Sequence, residues 1–213
     1  MFFDNRHNAA RLLAERLYEY RGLHPLILAI PRGAVPMGKI IADALGGELD
    51  VVLTRKLRAP GNPEYAIGAI DEAGWAYISE YASVAGATPG YIEQEKYTQL
   101  DTIRRRRKQY TPVHQAANPE GRIVIVVDDG LATGATMIAA LHALRARKPK
   151  ALICAVPVAH PETLQKVEPY ADKIICLHCP HNFYAVGQFY RQFPQVEDKE
   201  VIEILRTEAK ANP

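Results

Sequence analysis

Short apolar runs, separated by amphipathic stretches, punctuate the chain of 213 residues. Residues 26–30 (Leu-Ile-Leu-Ala-Ile), 49–53, 123–127 (Ile-Val-Ile-Val-Val), 152–158 and 173–177 are apolar nearly throughout, not at alternate positions. That pattern marks strands covered on both faces, as in a parallel sheet. Helical spacing falls between them at residues 35–45, closed by Gly46 and Gly47, and at residues 136–147 and 161–170. Residues 4–21 form an amphipathic segment with Ala9, Leu12, Leu13, Leu17 and Tyr20 near helical spacing and Gly22 as its stop. A charged helix over 92–110 and a tail helix over 199–210 complete the helical set, while residues 66–70 and 75–78 flank the turn Asp71-Glu72-Ala73-Gly74 as an antiparallel excursion. The β/α alternation predicts one α/β domain, a doubly wound and mainly parallel sheet flanked by helices, with its core at about residues 23–180 and a tail at about 181–213.

In such a sheet, ligands sit beyond the carboxyl ends of the strands near the point where the winding reverses. Three strand ends carry suitable chemistry. After the run 123–127 come Asp128, Asp129, Gly130, Leu131, Ala132, Thr133, Gly134, Ala135 and Thr136. Small residues there let backbone N–H groups converge on an anion at a helix N-terminus, with Thr133 and Thr136 adding hydroxyl donors. Asp128 and Asp129 supply acceptors for sugar hydroxyls or a Mg2+ shell. Phosphate below and hydroxyls above describe a sugar phosphate. A hairpin at Asp129-Gly130 would need an alternating run directly afterwards, whereas Met137, Leu141 and Leu144 fall at helical spacing. A capping role for Thr133 is compatible with either reading.

The second strand end is Pro31-Arg32-Gly33-Ala34, where Gly33 permits an unusual backbone and Arg32 offers a planar fork for phosphate oxygens. Arg55 and Lys56 follow the run 49–53. Each alone reads equally well as a structural turn or a solvated strand end; together they point to a ligand with phosphates at both ends.

The segment 124–136, an apolar strand, two acids and a Thr-Gly-x-Thr turn, resembles the phosphoribosyl pyrophosphate (PRPP) signature of type I phosphoribosyltransferases, although Gly130 stands where a bulkier apolar residue is usual. The likeness runs in matching order over residues 26–158. A group of uncharacterised bacterial proteins assigned to the family is similar over nearly the whole chain, through Pro-Arg-Gly at 31–33, Arg-Lys-Leu-x-Ala-Pro-Gly-Asn-Pro-Glu at 55–64 and Phe-Tyr-Ala-Val-Gly-Gln at 183–188. The resemblance implies Mg2+-dependent transfer of phosphoribose to a nucleobase-like nitrogen acceptor. Ala132, Thr133, Gly134, Ala135 and Thr136 would grip the 5′-phosphate, and Arg32, Gly33, Arg55 and Lys56 would hold pyrophosphate. Asp128 and Asp129 would hold the ribose hydroxyls and a share of the Mg2+ shell, and residues 57–65 would form a mobile closing loop. Phe183 and Tyr184 would stack on the acceptor or anchor the tail. The resemblance also implies a homodimer or larger homo-oligomer. Ala132 replaces the aspartate of the 6-oxopurine enzymes, and no lysine near residues 155–160 matches the one that reads a 6-oxo group.

Composition adds limits. Hydrophobic residues make up 48% and charged ones 23%, and the net charge is +2, too mild by itself for a nucleic-acid binder. The basic run Arg104 to Lys108 lies among Glu93, Glu95 and Asp101 and reads first as a solvated or subunit-facing surface, with RNA contact as the rival. That rival belongs to a second reading, a PRPP-sensing regulator without turnover. A nucleotide-dependent oxidoreductase is disfavoured because no G-x-G-x-x-G follows a strand. Residues 1–11 contain Asp4, Asn5, Arg6 and His7 in place of an apolar run, and no 18-residue apolar stretch occurs, which predicts a cytoplasmic protein without a signal peptide or membrane span. Cys154, Cys176 and Cys179 are too few for a disulfide framework. The cluster from Cys176 to His181 has the donors for zinc, but adjacent His178 and Cys179 make an awkward ligand pair, and a buried strand followed by a loop explains it as well.

Overall fold

The computed structural model describes residues 2–110 and 116–211. Five parallel strands form the central sheet: β1 (Leu26–Ala29), β2 (Glu48–Val51), β6 (Ile123–Val127), β7 (Ala151–Val158) and β8 (Lys173–His178), in the order β2-β1-β6-β7-β8. The chain winds outward from β1 to β2 in one direction and from β6 through β7 to β8 in the other. The reversal therefore lies between β1 and β6, whose pairing sets Ala29 beside Val127 and brings both strand ends to one place.

Burial on both faces explains the unbroken apolar runs. Along β6, Ile125 and Val127 join the core that also contains α1 (Arg6–Arg16), α2 (Val35–Leu45) and α6 (Asp198–Ala211), while Val124 and Val126 face α4 (Ala135–Arg145) through Met137, Ile138, Leu141 and Leu144. Helix α5 (Pro161–Val167) lies on the α4 side through Val167. The predicted bounds of α2 agree with the structure, and Gly46 ends it in the left-handed conformation at φ 65°. The segment 4–21 is shorter as an α-helix than its pattern predicts: α1 stops at Arg16 and a 3-10 turn over Tyr18–Tyr20 follows.

Between β2 and β6 the chain builds a separate antiparallel sheet of β3 (Thr54–Ala59), β4 (Asn62–Asp71) and β5 (Ala76–Ile78), then α3 (Pro89–Tyr110). The excursion at residues 66–78 is as predicted, but β3 is not. The sequence places Arg55 and Lys56 in a turn and residues 57–65 in a loop. Instead they belong to a hairpin closed at Pro60 and Gly61, with β3 paired to β4 from Thr54↔Asp71 to Ala59↔Asn62. Register shifts at Leu57, Arg58 and Ala59 blur the alternation that would reveal the strand.

No helix among the described residues is long and apolar enough to cross a membrane. The fully buried Ile125 at the middle of β6 tests the sheet core. Ile125→Ala is expected to cost about 3 kcal/mol in urea unfolding, the usual loss for a large-to-small change in a packed core, whereas a cost below about 1 kcal/mol would mean that β6 is not the central strand.

Candidate active site

A cleft of about 760 Å³ opens beyond the carboxyl ends of β1 and β6. The turn 128–134 forms its floor, Pro31 and Gly33 one wall, the β3–β4 hairpin with Arg55, Lys56 and Arg58 another, and Tyr184 to Gly187 a third. The acidic turn, the Pro31 to Gly33 turn and the basic pair thus meet, the pair reaching the cleft from the hairpin.

The turn before α4 leaves main-chain amides without helix partners. Gly134 precedes α4 at φ 76°, a conformation that side chains rarely adopt, and a Cβ there would lie 2.9 Å from Thr163 Cγ2. The bond from Ile138 N to Gly134 O at 2.9 Å is of the helical i→i−4 type, so the N–H groups of the preceding turn have no helix carbonyl to bind. Thr133 does not occupy the cap position, which belongs to Gly134; its hydroxyl accepts a long 3.5 Å bond from Ala135 N. Thr163 of α5 donates to Ala132 O at 2.7 Å and pins the turn from behind. Ala132, Thr133, Gly134 and Thr136 line the cleft, and Ala135 lines an adjoining cavity of about 410 Å³. The departure at Gly130 has a packing cause: a Cβ there would stand 2.7 Å from Val186 Cγ1, so the tail fills the space of a larger side chain.

The acidic pair is held more tightly than the sequence pattern foretells. Asp129 Oδ2 receives Arg6 Nε at 2.9 Å and Arg6 Nη2 at 2.9 Å, and Tyr190 donates its hydroxyl to Asp129 O at 2.6 Å. Asp128 Oδ1 accepts from Asp129 N at 2.8 Å. Burial and then the adjacent Asp129 charge push Asp128 well above the usual carboxylate range, with Lys56 and Arg6 pulling the other way. Burial also raises Asp129, against the opposing pull of Arg6 and Lys56. Gly33 makes the arrangement possible, because a Cβ there would lie 2.2 Å from Asp129 Oδ2.

Sequence reasoning misses Arg6 and Tyr190. A signal for Arg6 exists: it shares the buried face of α1 with Ala9, Ala10 and Leu13, and a charge on such a face requires a partner. Arg32 is expected in the cleft, yet its guanidinium lies 3.3 Å from Glu197 Oε2 and 3.6 Å from Asp198 Oδ2, near the start of α6. Two carboxylates compete for the fork, and from this segment Ile30, Pro31 and the Gly33 main chain line the cavity while Arg32 does not. Arg55 is braced by Gln99 Oε1 at 3.1 Å, and burial, then Arg106, Arg58 and Arg32, push its pKa down, a sign of concentrated positive potential.

Phe183 packs on Phe189 with ring centroids 5.1 Å apart and lines only the adjoining cavity, whereas Tyr184 is 90% exposed between the two cavities. The basic run divides: Arg107 makes a two-pronged pair with Glu72 at 2.8 Å and Arg106 lies 3.9 Å from Asp198, while Arg104, Arg105 and Lys108 face outward. Cys176 of β8 gives its thiol to His178 O at 3.3 Å, and burial pushes that thiol up to about 12. No group of three metal-ligating side chains occurs among the described residues.

A sheet of this order, an amide-rich turn at its reversal and a cation-lined hairpin opposite together define the type I phosphoribosyltransferase fold. A family model described as the phosphoribosyl transferase domain matches residues 2–194, and the chain belongs to that family. Two Mycobacterium tuberculosis proteins, named provisionally as phosphoribosyl transferases, are each 37% identical over 207 residues; the match covers 95% of this chain but 46% of theirs, so the chain spans about half their length. The TT1426 protein of Thermus thermophilus is 43% identical, with coverage of 98% of this chain and 100% of that one and a TM-score of 0.81. A hypothetical protein from Neisseria gonorrhoeae, solved with bound ppGpp, shares the fold at 14% identity, 100% and 96% coverage and a TM-score of 0.51.

The raised pKa of Asp128 has a measurable consequence for stability. An acid whose folded-state pKa exceeds its ordinary 3.8 favours the folded protein while protonated, and that advantage is lost as pH rises from 3.8 through the raised value. Asp128→Asn keeps the acceptor for Asp129 N but cannot ionise. It should melt above the wild type at about pH 7, with the gain shrinking toward about pH 4. An equal shift at both pH values would show that ionisation is not the cause.

Proposed function

We propose that this chain transfers the phosphoribosyl group of PRPP to a nitrogen acceptor, a nucleobase-like ring, and releases pyrophosphate. The reading rests on the meeting, in one cleft, of turn amides without helix partners, an acid pair and a cation cluster. The turn 132–136 would grip the 5′-phosphate through its N–H groups and the hydroxyls of Thr133 and Thr136. Asp128 and Asp129 would accept from the ribose hydroxyls. Arg55 and Lys56 would draw negative charge to the pyrophosphate end, with the main chain at Pro31 and Gly33 against it; Arg32 would join only by leaving Glu197 and Asp198.

The residues fit a Mg2+ ion carried in by the substrate. Asp129 Oδ2 is committed to Arg6 and Asp128 Oδ1 to an amide, which leaves one oxygen on each acid. Mg2+ usually keeps several waters and takes one or two carboxylates beside substrate phosphates, and it would supply charge neutralisation for the leaving group. In the transfer, the bond from the anomeric carbon to pyrophosphate oxygen breaks with its electron pair on oxygen, and the acceptor nitrogen lone pair forms the new C–N bond. The nitrogen proton passes to solvent or to pyrophosphate, since Ala132 offers no side-chain base. Positioning and stabilisation of leaving-group charge carry the catalysis. The inward pairing of Arg106 and Arg107 leaves the regulatory RNA-binding alternative with less basic surface than the sequence offers.

The test is incubation with PRPP, Mg2+ and, separately, adenine, guanine, hypoxanthine, xanthine, uracil and orotate, followed by mass spectrometry. A new nucleotide with matching pyrophosphate is expected, and Lys56→Ala should lower its rate about 10²-fold, the scale of losing one charge-stabilising donor. No nucleotide from any base, together with no PRPP binding, would reject the reading.

A further inference from the structure

Two neighbouring acids, each partly exposed, stand at the floor of the cleft. An acid that is to accept from ribose hydroxyls or a cation shell must be aimed at them. Among the described residues, Arg6 is the one cation in hydrogen-bond contact with either acid.

Its geometry is that of a fixed strut. Nε and Nη2 converge on Oδ2 of Asp129, so Oδ1 stays open, and Nη1 donates to Pro194 O at 2.6 Å. The guanidinium also lies on the Phe193 ring, 3.7 Å from its centroid. The side chain is 10% exposed, and Arg6 is absent from the cleft lining, whereas Asp129 and Phe193 line it. Arg6 therefore stands behind the cleft wall, in contact with two of its lining residues, Asp129 and Phe193. Around it the two ends of the chain are clasped: Phe3 N donates to Phe189 O at 2.8 Å, Arg191 N to Phe3 O at 2.9 Å, and Tyr190 to Asp129 O.

We propose that Arg6 is a positioning residue that holds the Asp129 carboxylate with its second oxygen facing the cleft, and so sets the affinity of the site for PRPP. The inference rests on the PRPP reading above. A purely structural salt bridge would also tie down the N-terminal helix, but its loss would lower stability without altering the affinity of the folded molecules.

Titration calorimetry of the full chain with PRPP and Mg2+ separates these roles, using Arg6→Ala, Arg6→Lys and the control Leu13→Ala. Leu13 is a fully buried residue of the same helix, distant from the acid pair in bonding, and its truncation loosens α1 without touching charge. Arg6→Ala should weaken PRPP about tenfold or more, because a carboxylate without its two-donor partner is no longer held in one orientation. Arg6→Lys should recover part of that loss, and Leu13→Ala should melt lower yet bind as the wild type does. Affinity of Arg6→Ala within about twofold of the wild type, or an equal loss in Leu13→Ala, would overturn the inference alone. No heat with the wild type would bring down the PRPP reading and this inference together.

Discussion

The structure depends on holding two adjacent, half-buried carboxylates together at the floor of a cleft. Asp128 and Asp129 stand where the winding of the sheet reverses, and burial pushes both above the usual carboxylate range. The fold answers with Arg6 from the first helix, Lys56 from the hairpin and an amide of the turn itself. Breaking one partner of such a buried cluster costs more than making it gains, because the remaining charge is stranded. That asymmetry explains why the N-terminal helix, the tail and the hairpin, remote in sequence, converge on one turn.

Close packing around the pair follows the same constraint. Gly33 is required by the approach of Asp129, and Gly130 by the tail valine that fills its place. Thr163 and Gly134 lock α5 behind the turn at residues 132–134. The cleft floor is closely packed at Gly33, Gly130 and Gly134, while its cationic wall stands on a hairpin whose tip, at Gly61 to Tyr65, is exposed. Pre-set floor and exposed wall suit a ligand that is gripped at one end before charge is neutralised at the other.

Elements governed by local pattern are legible in the sequence. The five parallel strands follow from runs such as Ile123 to Val127, which only a doubly covered sheet tolerates, and α2 from its spacing and its glycine stop. The turn at residues 128–134 is legible because small residues and hydroxyls cluster where strand passes to helix. Long-range pairing is not. β3 is hidden by cations and by register shifts that break its alternation, and the fate of Arg32 is decided by Glu197 and Asp198, 165 and more residues away. Arg6 is the instructive case: along the chain it is one of several polar residues near the start, whereas its place on the apolar face of α1 asks for a buried acid.

The most direct test of the central claim is a crystal structure of the protein with PRPP and Mg2+ bound. The account predicts the 5′-phosphate against the amides of residues 132–136, the ribose hydroxyls on the open oxygens of Asp128 and Asp129, and Arg6 still paired behind them. PRPP lodged outside this cleft, or bound there with its phosphate turned away from that turn, would contradict it.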